Sequence, residues 1–228
     1  MQLGSQRGRW ANSLARRVEL AGFALRLPTI ECRLSDSQQG NRVAFHLTKE
    51  FYPPFTHRTA CIALAVPTDP DEYLAGRHRQ ALRTNLNRAS RLGIVAKELE
   101  DKTHQLRAVS SVLESRDEPW RHRYVPFLER QLEDDEVRVF AAVDSGDAVL
   151  AVAVMAVDVS AAWLEIFCAL RGEMGLLARY PLHFELVKHL GGRVLLTGSV
   201  VGVPSGVRYF QDRLGFQATN IRLRHNGK

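Results

Sequence analysis

The sequence VRVFAAVDSGDAVLAVAVMAVDVSAAWLEIFCAL, residues 137–170, decides the fold class of this 228-residue chain. It contains three apolar, β-branched runs separated by short polar breaks: Val137–Val143, Val149–Val157 and Ala162–Leu170. The breaks are long enough for tight turns but too short for crossover helices. The stretch therefore predicts three consecutive antiparallel strands.

Helix and strand patterns continue after these three strands. Apolar residues recur at helical spacing from about Ala178, and Pro181 is expected in the first turn of that helix. The predicted order is helix, strand, short helix and strand: 178–190, 193–197, a helix capped by Ser205, and 216–224.

Helices and two further strands are predicted before the three-strand segment. The helical pattern is strongest from Tyr73 to Leu92, and Gly93 is expected to end that helix. The other predicted elements are strands at Arg42–Leu47 and Arg58–Val66 and helices at Lys102–Leu113 and Tyr124–Leu132. This order predicts an α+β fold with one mixed sheet flanked by helices.

The charge balance, the cysteines and the apolar runs indicate which partners the chain favours and which kinds of protein are excluded. The 31 Lys and Arg against 25 Asp and Glu give a formal net charge of +6, which favours polyanionic partners. Cys32, Cys61 and Cys168 are odd in number and far apart, which argues against a disulfide framework and a zinc site. The longest apolar run, Ala148–Val157, is too short to span a bilayer. These features predict a cytoplasmic protein without a bound metal.

The first 57 residues are predicted to be an N-terminal extension with a basic arm and one strand. No acidic residue precedes Glu19, but four arginines do: Arg7, Arg9, Arg16 and Arg17. The segment has no apolar signal core, so a basic tail and a frayed amphipathic helix are both open. The arm could exchange between protomers, and the oligomeric state is open as well.

Two local motifs accompany the predicted order of elements. Residues 210–216, FQDRLGF, resemble the aromatic-x-x-basic-x-Gly-Phe signature that ends the last helix of the GNAT acyltransferase superfamily. Residues 77–89, RHRQALRTNLNRA, are similar to the Arg-x-Asn-φ-x-Lys/Arg-Ala helix of its Fem-like branch, where φ is apolar. Arg116 falls where this branch often carries an arginine. The resemblance implies the GNAT fold, a central mixed, mostly antiparallel sheet flanked by helices, with residues 58–228 as the acyltransferase domain.

The resemblance implies an enzyme that transfers an acyl group to an amine. The simplest donor is acetyl-CoA, and the acceptor would be a small molecule or a protein lysine. Since the Fem-like branch also contains enzymes that use aminoacyl-tRNA, tRNA is the alternative partner. Many GNAT enzymes carry a general-acid tyrosine at the position of Gln211; Tyr209 is the nearby candidate for this role. Gln211 favours a third alternative, a non-catalytic binding module.

A phosphate-binding turn is predicted where the third strand leads into the next helix. Gly172 and Gly175 would let the backbone approach a pyrophosphate closely, while Arg171 and Arg179 would supply positive charge. The alternative is a loop that needs its glycines only in order to turn.

Glu165 is the candidate general base because it interrupts an otherwise apolar strand. On a period of two, it shares a face with Trp163 and Phe167, where loss of water is expected to raise its pKa. A carboxylate with a raised pKa could take the proton of an attacking amine. The alternative is a strand face at a solvated edge.

The substrate-binding candidates are Arg83, Asn85, Arg88 and Ser199. Five arginines are expected on one side of the helix at 73–92, where they could follow phosphates of CoA or tRNA: Arg77, Arg79, Arg83, Arg88 and Arg91. Asn85 lies in the apolar arc, so its amide is expected to have partners, in a neighbouring backbone segment or in substrate. The loop that begins at Ser199 is expected to line the acceptor side.

Overall fold

The structure is a computed structural model that describes residues 22–48, 58–115, 137–200 and 203–225. In these ranges the strands are β1 (Thr29–Leu34), β2 (Thr59–Ala65), β3 (Val95–Leu99), β4 (Arg138–Val143), β5 (Val149–Val157), β6 (Ala161–Ala169), β7 (Val194–Ser199) and β8 (Gln217–His225). The helices include α1 (Gln38–Thr48), α2 (Pro70–Leu74), α3 (Gln80–Arg91), α4 (Lys102–Glu114), α5 (Glu173–Leu190) and α6 (Ser205–Arg213). A 3-10 turn, Arg77–Arg79, lies between α2 and α3.

All of these strands belong to one sheet, in the order β1-β8-β2-β7-β6-β5-β4-β3. The β1–β8 and β6–β7 pairs are parallel, and every other neighbouring pair is antiparallel. The predicted α+β architecture with a mixed, mostly antiparallel sheet is therefore confirmed.

Apolar packing covers both faces of the sheet. On one face lies α5, whose Leu182, Leu186 and Leu190 recur every four residues and are fully buried. The other face carries α4 and α1, each in its own apolar cluster. Each buried Leu or Val side chain contributes about 1.5–3 kcal/mol of transfer free energy. The helices on both faces thus bury the apolar side chains of the sheet.

The three-strand segment has the predicted topology. β5 has the predicted bounds, β4 begins one residue later than predicted, and β6 begins and ends one residue earlier. Residues 144–148 form a tight turn in which the Asp144 carboxylate accepts the N–H groups of Gly146 and Ala148. Local sequence was sufficient here because each strand pairs with its neighbour in the chain.

The predicted strand at residues 42–47 is wrong: these residues belong to α1. The preceding polar tract begins the helix, since Asp158 accepts the N–H of Ser35 at 2.8 Å and Ser37 Oγ accepts the N–H of Gly40. Val43 and Leu47 are buried at helical spacing, whereas Phe45 is 54% exposed. A strand would have placed all three on one face.

The predicted continuous helix from Tyr73 to Leu92 is also wrong. Gly76 has φ of +83° and ends the first segment, so the chain forms α2, the 3-10 turn and then α3. Because Arg77 and Arg79 precede α3, they do not lie on its helical wheel. The predicted row of five arginines along one helix therefore does not exist.

Two smaller corrections concern helix ends. α5 begins at Glu173, so Pro181 lies inside the helix rather than in its first turn. Pro204, not Ser205, precedes α6, and no side chain caps its N-terminus. The predicted helix at 124–132 lies outside the described residues.

The described part of the predicted N-terminal extension packs against the same sheet. β1, which was not predicted from the sequence, pairs in parallel with β8, and α1 packs across β5 and β6. β3, also missed, is a short edge strand whose Val95 is 55% exposed. The proposed boundary at residue 57 falls outside the described ranges and stays a prediction.

Candidate functional site

The parallel strands β6 and β7 part after a short ladder. They pair only through Ala161–Trp163 and Val194–Leu196, although β6 continues to Ala169 and β7 to Ser199. Among the described residues, no atom lies within 4 Å of a Cβ added at Gly198, so the space at this position of β7 is open to them. We call this opening, between residues 164–169 and 197–199, the wedge.

An irregularity on each strand accompanies the wedge. On β6, Val154 pairs with Ile166 and Met155 with Leu164, so Glu165 is an extra residue in the ladder. On β7, Gly198 is the corresponding extra residue opposite β2. Such bulges bend a strand and redirect its side chains. They place Glu165 where β6 has just separated from β7.

The bulge changes which side chains share a face with Glu165. Trp163 belongs to the apolar cluster beneath α1, whereas Phe167 packs in the cluster beneath α5. The prediction that Glu165 shares a face with both residues is therefore right for Trp163 and wrong for Phe167. A strict period of two does not survive the insertion of one residue.

Two side chains of α1 hold the Glu165 carboxylate. Arg42 Nε binds Oε1, and Arg42 Nη2 donates to Oε2 at 3.1 Å. His46 Nε2 lies 3.2 Å from Oε1, and its ring stacks on Trp163 with centroids 5.1 Å apart. Neither partner was predicted from the sequence, because residues 42–47 were predicted to form a strand.

These partners decide the ionisation of Glu165. Burial acts to raise its pKa, but hydrogen bonds from His46 and Arg42, together with the charge of Arg42, hold the pKa below its usual value. The expectation of a raised pKa is therefore wrong. The side chain is only 4% exposed and carries an ionised carboxylate at neutral pH.

Aromatic side chains form the wall on the opposite face of β6. Phe167 lies 5.9 Å from Phe210, and Tyr180 packs edge-on against the same ring at 5.5 Å. The guanidinium of Arg179 sits 4.3 Å above Phe210. The face beneath α5 is thus apolar, with a cation at its rim.

The N-terminus of α5 lies beyond the end of β6, at the open end of the wedge. Gly172 precedes the helix with φ of +100°, a conformation that favours glycine. At Gly175 a Cβ would lie 2.1 Å from the carbonyl oxygen of Leu170, so only glycine fits. The first N–H groups of α5 have no partner within the helix and form a donor set suited to an anion.

Charged side chains surround this helix end. Arg171 and Glu173 are exposed, and Glu173 forms an ion pair with Arg88 of α3. The pair joins two predicted site regions, the basic helix and the glycine turn. It also places a carboxylate in the first helical turn, where it already interacts with the positive end of the helix dipole.

Comparisons with known proteins give structural matches only. No protein-family model and no curated protein matches the chain. FemX superimposes with a TM-score of 0.55 at 11% identity, over 81% of this chain and 61% of that chain. A conserved protein of unknown function from Bacteroides thetaiotaomicron gives 0.52 at 11% identity, over 68% and 55%. L-PGS from Bacillus licheniformis gives 0.48 at 14% identity, over 73% and 59%.

The chain has the GNAT fold. This is the fold that the two sequence motifs implied. The chain spans only 61% of FemX and 59% of L-PGS. Structural matches at this level of sequence identity establish the fold. They do not establish the reaction.

Within the GNAT fold, the predicted substrate-binding residues do not form one surface. Arg83 binds the carbonyl oxygens of Leu74 and Gly76, which ties α3 to the preceding turn. Asn85 donates to the Ala81 carbonyl of its own helix at 2.8 Å. Both side chains therefore already bind backbone carbonyl groups of this chain, and neither contact requires a ligand.

The remaining predicted residues lie at the open end of the wedge or outside it. Ser199 is the last residue of β7 and pairs with Cys61 of β2 on the side away from the wedge. Tyr209 is 59% exposed on α6, beneath the guanidinium of Arg213 at 4.7 Å. Gln211, which the sequence resemblance aligns with a tyrosine of many GNAT enzymes, has a buried Oε1 with no hydrogen-bond partner among the described residues.

The described ranges contain neither a membrane-spanning helix nor a cluster of metal ligands. No helix there combines the length and apolarity needed to cross a membrane. No group of three or more His, Cys, Asp or Glu side chains there is placed to hold a metal ion. The cytoplasmic location stays a prediction.

Proposed function

We propose that this protein is an acyltransferase that moves an acyl group, most simply acetyl from acetyl-CoA, to an amine. The observation that carries the proposal is the wedge, whose open end meets the glycine turn before α5. Parted strands leave backbone N–H and C=O groups that an extended acyl-carrier chain can bind. Their arrangement suits a thioester inserted between the strands and a phosphate at the helix end.

The donor's phosphates are proposed to bind at the N-terminus of α5. Gly172 leaves the approach free of a side chain, Gly175 lets the helix begin close against the Leu170 carbonyl, and the N–H groups of the first turn have no partner within the helix and are available to an anion. Arg171 and Arg179 lie on either side of this turn in the sequence. The acceptor amine, on a small molecule or a protein lysine, would enter beside Glu165.

The reaction needs one proton acceptor and one leaving group. The amine nitrogen attacks the thioester carbonyl carbon and forms the new C–N bond, and the tetrahedral intermediate then expels the thiolate. The proton lost by the nitrogen passes to the unit formed by Glu165 and His46. Since Glu165 is ionised, this unit is ready to receive a proton at neutral pH.

One observation favours a second candidate, a transferase that uses aminoacyl-tRNA. The carboxylate of Glu173 lies in the first turn of α5, where it would repel the pyrophosphate of CoA. A donor that binds mainly through contacts away from the α5 N-terminus would be repelled less by Glu173. The contacts of Arg83 with backbone carbonyls and of Arg88 with Glu173 weigh against this candidate, because they leave fewer arginines of α3 for a nucleic acid.

We expect acetyl-CoA to stabilise the protein in a thermal-shift titration. A ligand that saturates the native state at 100 times its Kd adds about 2.7 kcal/mol, which corresponds to roughly 5–10 °C for a chain of this size. CoA and bulk aminoacyl-tRNA are titrated in parallel. A shift with aminoacyl-tRNA alone would favour the second candidate. A shift with acetyl-CoA but no product with any amine would indicate a non-catalytic binding module.

Replacing Glu173 by glutamine is expected to tighten CoA binding by about two- to fivefold. The change removes a negative charge from the first helical turn, where such a charge is worth about 0.3–1 kcal/mol, and it releases Arg88 for the phosphates. Isothermal titration at low salt measures the affinity. The matched control is Glu185→Gln, in the same helix but paired with Lys188 nearer its other end. Equal effects of both substitutions would contradict phosphate binding at the α5 N-terminus.

A further inference from the structure

His46 and Glu165 differ in their access to a substrate. Glu165 is 4% exposed and has both carboxylate oxygens occupied by Arg42 and His46. The side chain of His46 is 14% exposed. A carboxylate held in this way has little freedom to receive a proton directly from an amine. The neighbouring imidazole is the better-exposed member of the pair.

Contacts with β6 fix the orientation of the His46 ring. The ring stacks on Trp163 at an interplanar angle of 8°, and Nε2 faces Glu165 Oε1 at 3.2 Å. In a neutral ring, Nε2 therefore carries the hydrogen and Nδ1 keeps its lone pair. Nδ1 makes no hydrogen bond with any residue in the described ranges. It is also not one of the buried polar side-chain atoms in those ranges that lack a hydrogen-bond partner.

We propose that His46 is the catalytic residue that accepts the amine's proton, and that Glu165 is a positioning residue that orients it. This assignment rests on the proposed acyl transfer and names the atom at which the proton arrives. The amine nitrogen forms the C–N bond, its proton passes to Nδ1 of His46, and the thiolate leaves with the electrons of the C–S bond. The imidazolium stays beside the Glu165 carboxylate and then gives its proton to the thiolate or to water.

The other groups packed around His46 are compatible with this role. Arg42 is the second charged side chain at Glu165, and its hydrogen bonds and charge help to keep the carboxylate ionised. The cluster beneath α1 is otherwise apolar, with residues such as Leu34, Leu47 and Leu196. A low-polarity surrounding strengthens the contact between the imidazolium and the carboxylate.

Kinetics of His46→Gln test the assignment, with acetyl-CoA as donor and a panel of primary amines as acceptors. General base catalysis is worth about 10²–10⁴-fold, so kcat is expected to fall by about 100-fold or more. KM for the donor should change by less than about twofold, because the binding surfaces remain. The matched control is His104→Gln on α4, a 70% exposed histidine that is expected to leave kcat unchanged.

Chemical rescue separates proton transfer from packing. His46→Ala leaves a space beside Trp163 that imidazole and pyrazole fill equally well, but only imidazole is an effective base near neutral pH. Imidazole is expected to restore part of the turnover and pyrazole none, and rescue should fail when Glu165→Gln is added. Equal rescue by both compounds would reduce His46 to a packing role and overturn the assignment.

The tautomer provides a readout that does not depend on turnover. Nitrogen chemical shifts of His46 in the wild-type protein should show Nε2 protonated and Nδ1 unprotonated in the neutral ring. The opposite tautomer would overturn the assignment even if the protein is an acyltransferase. Full turnover in His46→Gln would overturn the assignment alone, whereas no product from wild type with any donor would overturn the proposed function first.

Discussion

Arg42→Met is expected to lower the free energy of unfolding by about 3–5 kcal/mol at pH 7, because removing one partner leaves a buried charge uncompensated. Glu165 is 4% exposed, and Arg42 binds both of its carboxylate oxygens. Methionine preserves much of the arginine's apolar stem, so the loss reports on the charge rather than on packing. Urea denaturation followed by circular dichroism measures the change.

The effect of Arg42→Met should depend on pH in a defined direction. In the wild type the pKa of Glu165 lies below its usual value, so its contribution to stability is present above about pH 4.5 and is lost as pH falls through the native pKa. In the variant, Arg42 no longer lowers the pKa of Glu165, so burial raises that pKa. The penalty is then largest at pH 7 and shrinks toward pH 4, as protonation removes the buried charge.

Two further variants test the explanation. Adding Glu165→Met to Arg42→Met should recover most of the lost stability, because an apolar pair replaces the unpaired charge. Lys97→Met removes an exposed ion pair with Asp147, 3.5 Å apart, and should change stability by less than about 1 kcal/mol. If Arg42→Met behaves like Lys97→Met at pH 7, Glu165 is not the buried charge that the structure indicates.

Sequence alone predicts the parts of this fold whose partners are close in the chain. β4, β5 and β6 pair in sequence order, and their apolar runs leave no alternative to a three-strand segment. α5 presents apolar residues every four positions over a long stretch. Where a pattern is long and its partner is adjacent, periodicity determines the element.

Residues 42–47 show where this reasoning fails. Val43, Phe45 and Leu47 fit a period of two, while Val43 and Leu47 also fit one face of a helix. The choice depends on Asp158, which lies 123 residues from Ser35 and holds the turn before α1. Over six residues, the sequence contains no signal of that contact.

The candidate site was predicted only in its isolated features. A charge inside an apolar strand identified Glu165, and two glycines before a helix identified the turn at Gly172 and Gly175. The direction of the pKa shift was wrong because Arg42 and His46 come from a distant element. The apolar neighbours of a carboxylate in the sequence indicate that burial will raise its pKa. The partners that lower the pKa come from distant elements and are known only from the fold.

Gly215→Ala is expected to destabilise the protein by about 2.5–5 kcal/mol, the sum of left-handed backbone strain (about 1–2) and the loss of buried contacts of a charged group (about 1.5–3). Gly215 has φ of +80°, and a Cβ there would lie 2.1 Å from Arg79 Nη2. Although Nη2 ends a flexible side chain, Arg79 is only 8% exposed and has little room to move.

Moving Arg79 would disturb the contacts that join α2 to the end of α6. Its guanidinium lies 4.4 Å from the centroid of the Tyr73 ring and donates to the Arg213 carbonyl. Tyr73 donates to the Leu214 carbonyl at 2.6 Å and also contacts His183 Nε2 at 2.7 Å. Burial, aided by the charge of Arg79, lowers the pKa of His183 to about 3, so this cluster carries a single positive charge at neutral pH.

The matched control is Gly206→Ala, in the first turn of α6. A Cβ at Gly206 has no neighbour within 4 Å in the part of the chain that the structure describes, so alanine should stabilise the helix by up to about 1 kcal/mol. The same substitution therefore has opposite signs at positions nine residues apart, which thermal denaturation of the two variants would reveal. Similar stabilities would show that Arg79 relaxes around the new methyl group without losing its contacts. In that case the glycine of the FQDRLGF motif serves only the turn, and the Arg79–Tyr73 cluster does not depend on it.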